Sequence, residues 1–162
     1  MTPAERDRHF KQKEENPDRI TLVLDHKDQT AVGYLALVDI DWIASKVGNM
    51  AVRVAPDWCD KGLGSLLVRS VTAWGFSVGF KSMRLDVAAS NQRAVNCYKK
   101  SGYSVIGEFW RNDENLKEMA LGGPEFDFLR PHVRTVGKES QLRFYRMEAR
   151  NDGVIKRQVS IQ

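Results

Sequence analysis

One turn, and the helix it feeds, constrain this chain more than any other stretch. The apolar run Met50 to Val54 stops at Pro56, and Asp57-Trp58-Cys59-Asp60-Lys61-Gly62-Leu63-Gly64-Ser65 follows before an amphipathic pattern sets in. The first N–H groups of a helix have no intrahelical partner, and the helix dipole places partial positive charge beside them. Gly62 and Gly64 leave that end bare of side-chain bulk, and Lys61 adds a mobile charge. The turn is therefore a cradle for a phosphate-sized anion. It is not the nucleotide P-loop, whose lysine follows its second glycine, because here Lys61 precedes Gly62.

The flanking patterns suggest what the turn is built into. Leu63, Leu66, Leu67, Val71, Trp74 and Val78 recur at helical steps, which predicts one helix over 62–78 with that stripe on a sheet and Gly79 ending it. Upstream, 20–24 and 30–38 are β-branched apolar runs joined by a polar loop, an antiparallel hairpin in which Gly33 marks a candidate bulge. Asp39 to Asn49 reads as a loop, with Gly48-Asn49 as its turn signal, before a strand over 50–55. Downstream, Met83, Leu85 and Val87 alternate with Arg84 and Asp86, a strand reached by a right-handed parallel crossover. Ser90 or Asn91 can cap a helix over 92–100, Gly102 stops it, and a strand over 103–109 follows.

Residues 110–141 break this rhythm, and a stretch that long is either functional or mobile. Phe126, Phe128, Leu129 and His132 within it suit a substrate wall or a dimer contact equally. Leu142 to Ala149 alternates again, and Asn151-Asp152-Gly153 predicts a hairpin returning over 154–161. Residues 3–16 hold one large apolar side chain, Phe10, and support only a marginal helix.

Composition narrows the class. A chain of 162 residues, 42% apolar and 28% charged, suits one soluble domain. Residues 2–19 lack the apolar segment of a secretory signal, and no later run reaches the length of a membrane span, so a cytoplasmic protein without a membrane partner is expected. Cys59 and Cys97 make no disulfide framework, and with three histidines there is no metal-ligand spacing. The +4 charge is dispersed, which argues for a phosphate-bearing cofactor before a nucleic acid.

From Met50 to Gly107 the chain resembles the GNAT superfamily of acyl-CoA-dependent N-acetyltransferases. Val54 to Gly64 is similar to the family's pyrophosphate loop, where Arg or Gln, two variable residues, Gly, another variable residue and Gly or Ala follow a strand. Leu85 to Tyr103 is similar to its second cofactor segment, with Asn91, Ala94, Tyr98, Gly102 and Tyr103 in matching places. The resemblance implies an α/β fold: a mixed, mainly antiparallel central sheet flanked by helices, with a splayed strand pair holding acyl-CoA. This would be an N-terminally short version, its first strand missing or replaced, and the terminal hairpin could supply the missing strand. Residues 1–162 would form one domain, with a cofactor core over 50–107, an insert over 110–141 and a C-terminal hairpin over 142–161.

The implied cofactor is acetyl-CoA, and the implied partner is a small-molecule or peptide amine. Cys59, Asp60, Lys61, Gly62, Leu63, Gly64 and Ser65 would hold the pyrophosphate, with Asn91, Ala94 and Tyr98 on the second segment. A backbone N–H near Val52 to Val54 would polarise the thioester carbonyl. Cys59 stands where the family has Arg or Gln, which removes a side-chain contact. A homodimer through the insert or the C-terminal hairpin stays open.

The chemistry then demands two proton transfers. A lysine-like ammonium has a pKa of ~10.4, so at pH 7 the attacking amine must lose a proton against about 3.4 pH units. The strand before the loop carries no carboxylate; Asp39, Asp41, Glu108, Glu125, Asp127 and His132 are the candidate bases, with ordered water as rival. The resemblance assigns Tyr98 to protonate the leaving thiolate, a transfer uphill by roughly 1.5 pH units from reference values of ~10 and ~8.5. The alternative is an acyl-CoA-binding sensor or assembly module with catalysis lost.

Overall fold

The computed structural model describes residues 15–27, 31–113, 116 and 122–152. Its strands form a seven-stranded, mainly antiparallel sheet in the order β1-β2-β3-β4-β7-β5, with β6 on β7. The chain divides into two compact units, Met1–Leu85 with Ala149–Gln162, and Asp86–Glu148.

The first unit holds β1 (Ile20–Asp25), β2 (Ala31–Asp41), β3 (Lys46–Val54), α1 (Leu63–Ser77) and the start of β4 (Ser82–Ala88). β1 and β2 form the expected antiparallel hairpin. In β2 the run Leu35, Ala36 and Leu37 is wholly buried on both faces, as befits a strand with neighbours on each side. Gly33 is not itself the bulge. It pairs in register with Val54, and the β1–β2 register shifts one step away, at Leu24/Asp25. Glycine is required there for closeness: a Cβ on Gly33 would lie 2.7 Å from the Arg53 carbonyl oxygen.

Two sequence readings need correction here. Asp39 to Asn49 is no loop, since β2 runs to Asp41 and β3 begins at Lys46. The turn is tight because Asp41 Oδ1 accepts the Ala44 N–H at 2.8 Å, and Ser45 takes a φ of 56°. Gly48-Asn49 lies inside β3, where Gly48 faces Asp39 at a break in the ladder. The apolar stripe of α1 is also rotated: Val68, Val71, Thr72, Gly75 and Phe76 are buried, whereas Leu66, Trp74 and Val78 are exposed. Counting bulky residues missed Gly75, whose bare backbone lets the helix close on Met83 to within 2.8 Å of a would-be Cβ.

The second unit holds the end of β4, α2 (Gln92–Lys100), β5 (Ser104–Asn112), β6 (Val133–Val136) and most of β7 (Glu139–Arg150). The expected insert is shorter than 110–141, because β5 extends into it and β6 pairs with β7 through a tight hairpin at Gly137, φ 63°. Leu116, Leu129 and Leu142 form one of its buried clusters, with Phe126, Val133, Phe144 and Ala88 packed against them. Phe126 and Leu129 are thus structural, and only Phe128 of that group is exposed. The proposed helix over 3–16 and return strand over 154–161 fall almost wholly outside the described residues, as does any replacement for a first strand.

Among the described residues no helix is long and apolar enough to cross a membrane, and no cluster of His, Cys, Asp and Glu could hold a metal. Gly33→Ala should destabilise the protein by about 1–3 kcal/mol, because the neighbour it meets is backbone. Gly107→Ala, with nothing within 4 Å of the new Cβ, should stay within about 0.5 kcal/mol. Urea denaturation of both variants checks the contrast.

Candidate active site

β3 presents one edge to β2, and among the described residues its other edge is paired only near its start. The parallel pairing of β3 with β4 covers only Lys46↔Ser82 and Val47↔Met83, while the β2 ladder continues to Val54. The Ala55 N–H bonds the Val32 carbonyl at 2.8 Å. By the alternation of an antiparallel ladder, the N–H groups of Val54 and Val52 then face the opposite edge. These are the two positions expected to polarise a thioester carbonyl.

The chain leaves β3 through a 3-10 turn at Pro56–Trp58 and reaches α1 through Gly62, which adopts φ 78°, ψ −3° as the helix N-cap. No side chain caps this end, and its first turn holds no acid. The first ladder bond is Leu66 N–H to Gly62 O at 3.0 Å, so the preceding N–H groups of Leu63, Gly64 and Ser65 lie upstream of the helical ladder. A Cβ at Gly62 would meet nothing within 4 Å, and one at Gly64 only Val54 Cγ2 at 3.9 Å. Glycine at 62 therefore serves the left-handed backbone and the open approach, not internal packing.

The side chains of the loop turn to their own neighbours. Lys61 Nζ sits 4.8 Å over the Trp58 ring, and Trp58 is 4.9 Å from His26, so the mobile charge is parked on an aromatic shelf. Cys59 Sγ points back to the Ala55 and Val54 carbonyls at 3.6 and 3.9 Å. Asp60, at φ 60°, is exposed.

In the second unit Asn91 caps α2, its Oδ1 accepting the Ala94 N–H at 3.1 Å. Ala94 thus serves the cap through its backbone, and Asn91 has only its Nδ2 donor to offer a ligand. Tyr98 packs edge-on against Tyr103 at 6.2 Å. Burial, and then the neighbouring Cys97, push its pKa up to about 12. Tyr98 is a hydrogen-bond donor and a poor acid: full transfer to a thiolate of ordinary pKa ~8.5 would be uphill by about 5 kcal/mol.

The candidate bases are scattered. Asp41 is engaged in the β2–β3 turn, Asp127 pairs with Arg130 at 3.1 Å, and Asp39, Glu108 and Glu125 are exposed. His132 Nδ1 is 2.9 Å from Arg143 Nη2. Arginine can only donate, so Nδ1 accepts and the neutral ring carries its proton on Nε2, the wrong arrangement for a base.

With this geometry in view, comparison with known proteins is decisive for the family. Residues 1–103 match the acetyltransferase (GNAT) family. The chain belongs to that family. It is 32% identical over 84 residues to an uncharacterized N-acetyltransferase, YobR, of Bacillus subtilis, a match covering 52% of this chain and 32% of that protein. It is 28% identical over 82 residues to the spermidine N(1)-acetyltransferase of Escherichia coli, covering 50% and 44%. The chain thus matches less than half the length of these curated relatives. The spermidine N-acetyltransferase of Vibrio cholerae, solved in complex with CoA and spermine, superposes with a TM-score of 0.69 at 16% identity, over 93% of this chain and 76% of that one. At that identity the likeness shows the GNAT fold.

Sequence reading of this GNAT chain missed the His132–Arg143 contact, since His132 lies in the 3-10 turn before β6, Arg143 lies inside β7, and neither forms part of a motif. Burial, then the guanidinium, lower the His132 pKa from 6.5. A depressed folded pKa means that the ring's contribution is fully present above the unfolded value of ~6.5 and is lost as pH falls from there through the lower folded pKa. An NMR titration of the imidazole should show a midpoint below 6.5, moving part of the way back in Arg143→Gln; a wild-type midpoint at or above 6.5 contradicts the pairing.

Proposed function

We propose that the chain transfers acetyl from acetyl-CoA to a primary amine by direct attack. The observation that carries this reading is the uncapped, glycine-led start of α1 beside the open edge of β3. The residues fit the cofactor: backbone N–H groups of Leu63, Gly64 and Ser65 with Lys61 would hold its pyrophosphate, and Asp60 could join only through its own N–H. Cys59 contributes no charge, so the cradle relies on backbone and Lys61. Bound there, acetyl-CoA supplies an activated thioester. The N–H groups of Val52 and Val54 would stabilise charge on the acyl oxygen; in the roles the family resemblance implies, Asn91 Nδ2 would donate to the cofactor and Tyr98 would donate a hydrogen bond toward sulfur while keeping its proton. The amine loses its proton to solvent.

The acceptor class follows from the family. Two relatives are named for spermidine, which makes a polyamine the first acceptor to assay. Self-association through the exposed Phe128 side of the insert belongs to the same reading and is checked by light scattering. A soluble protein working on cytoplasmic acetyl-CoA completes it.

Gly62→Asn separates the cradle from mere backbone strain, since asparagine tolerates the left-handed region yet adds bulk. We expect only a small fall in Tm and CoA binding weakened by more than tenfold (roughly 1.4 kcal/mol or more). Unchanged affinity removes the phosphate from this turn. Tyr98→Phe should slow turnover by roughly 3–30-fold with CoA affinity intact. With solvent as base, log kcat/KM should climb with pH from ~7 toward the amine pKa of ~10. A plateau already present at pH 7 would require a protein base. Tight CoA binding with no thiol release across small amines, polyamines and peptides would favour the binding module instead.

A further inference from the structure

Among the described residues, Arg111, Arg130, Arg134 and Arg146 of the second unit each find an oxygen acceptor, whereas Arg143 keeps one buried N–H without a partner. Arg111 and Arg146 both pair with Asp86, at 3.5 and 3.0 Å, and Arg130 pairs with Asp127. Arg134 donates to Gln141 Oε1 at 2.8 Å and stacks on Trp110. Arg143 has no carboxylate within ion-pair distance among the described residues; Glu108, diagonal to it across β5, does not reach it. Its partners are the neutral His132 at 2.9 Å and the Tyr145 ring at 5.8 Å. Its Nε–H is shut off from water and has no acceptor among the described residues.

A guanidinium does not shed its proton, so this charge persists at every working pH. A half-buried cation that no described carboxylate neutralises can pair with an oxyanion at its exposed edge, and the unpaired buried N–H marks a charge left without local compensation. The imidazole sharpens the point. Because Nδ1 is held by Arg143, the ring presents its Nε2–H as a second donor. Location links the pair to the cofactor segment. β6 pairs with β7 as far as Leu142, and the next residue, Arg143, accepts the Ala89 N–H at 2.9 Å through its carbonyl. Ala89 opens the loop whose Asn91 caps α2.

We propose that Arg143, His132 and Tyr145 form a binding site for a carboxylate or phosphate group, carried by the acyl acceptor or by the cofactor. The naming of those two sources rests on the acetyltransferase reading; the site itself does not. A carboxylate on the acceptor would set this chain apart from enzymes whose acceptors are purely cationic.

The test begins without acyl transfer. Sodium phosphate and sodium acetate are titrated separately into the whole protein at fixed pH and ionic strength, following the His132 Cε1–H resonance. We expect a saturable shift, weakened at least roughly tenfold in Arg143→Gln and preserved in Arg134→Gln. No saturable shift, or one that Arg143→Gln leaves unchanged, overturns the proposal. Binding of 4-aminobutyrate against butylamine, and of CoA against 3′-dephospho-CoA, then separates the sources. In Arg143→Gln only the 4-aminobutyrate affinity should fall if the acceptor supplies the anion, and only the CoA affinity if the cofactor does. Saturable anion binding with neither difference marks an adventitious ion only and overturns the assignment. Loss of all CoA binding with the anion titration intact would strike the acetyltransferase reading and leave this site standing.

Discussion

The β2–β3 ladder holds one register from Gly33 against Val54 to Asp41 against Lys46, and the chemistry of the first unit depends on it. A slip of one residue would exchange the inward and outward sets of N–H groups along β3. Val52 and Val54 would then donate to β2 and leave the open edge to their neighbours. Close approach at Gly33 resists that slip, since a side chain brought to this position would meet the Arg53 carbonyl. The same ladder ends where the loop to α1 begins, so the strand edge and the helix start are set by one pairing.

The helix start and the capped α2 were legible in sequence because each rests on local chemistry. Gly62 takes the conformation only glycine adopts cheaply, and Asn91 bonds the backbone three residues on. The β2–β3 turn was not legible, because its closure depends on one Asp41 carboxylate while Gly48-Asn49 offered a stronger false signal. The buried face of α1 was misread for a related reason. Periodicity weighs bulk, whereas Gly75 packs by lacking it. The β6–β7 hairpin is short, and its strand β6 is only four residues long, too brief for a periodic signal. The site residues themselves were named through a resemblance, and spacing alone would have left Tyr98 as an ordinary packing residue.

Burial works against Tyr98 as an acid and for it as a donor. The desolvation that raises its pKa to about 12 also removes competing water from the phenol, which strengthens any hydrogen bond that it makes. In the proposed reaction, a phenol that keeps its proton at neutral pH would stabilise developing charge on sulfur by hydrogen bonding, and the proton itself could arrive from solvent.

The last described turn of the chain has a bearing on how the protein is made. Asn151 donates from its side chain to the carbonyls of Phe76 and Phe80, at 3.3 and 3.5 Å, and from its backbone to Lys81 at 2.9 Å. The far end of α1 is therefore finished by a residue 75 positions later. During synthesis the helix can form early, with Phe76 O taking the Gly79 N–H locally, but the bonds from Asn151 to Phe76, Phe80 and Lys81 wait until β7 has left the ribosome. The first unit is thus a closed circuit in the chain, complete only when its beginning and its end have met.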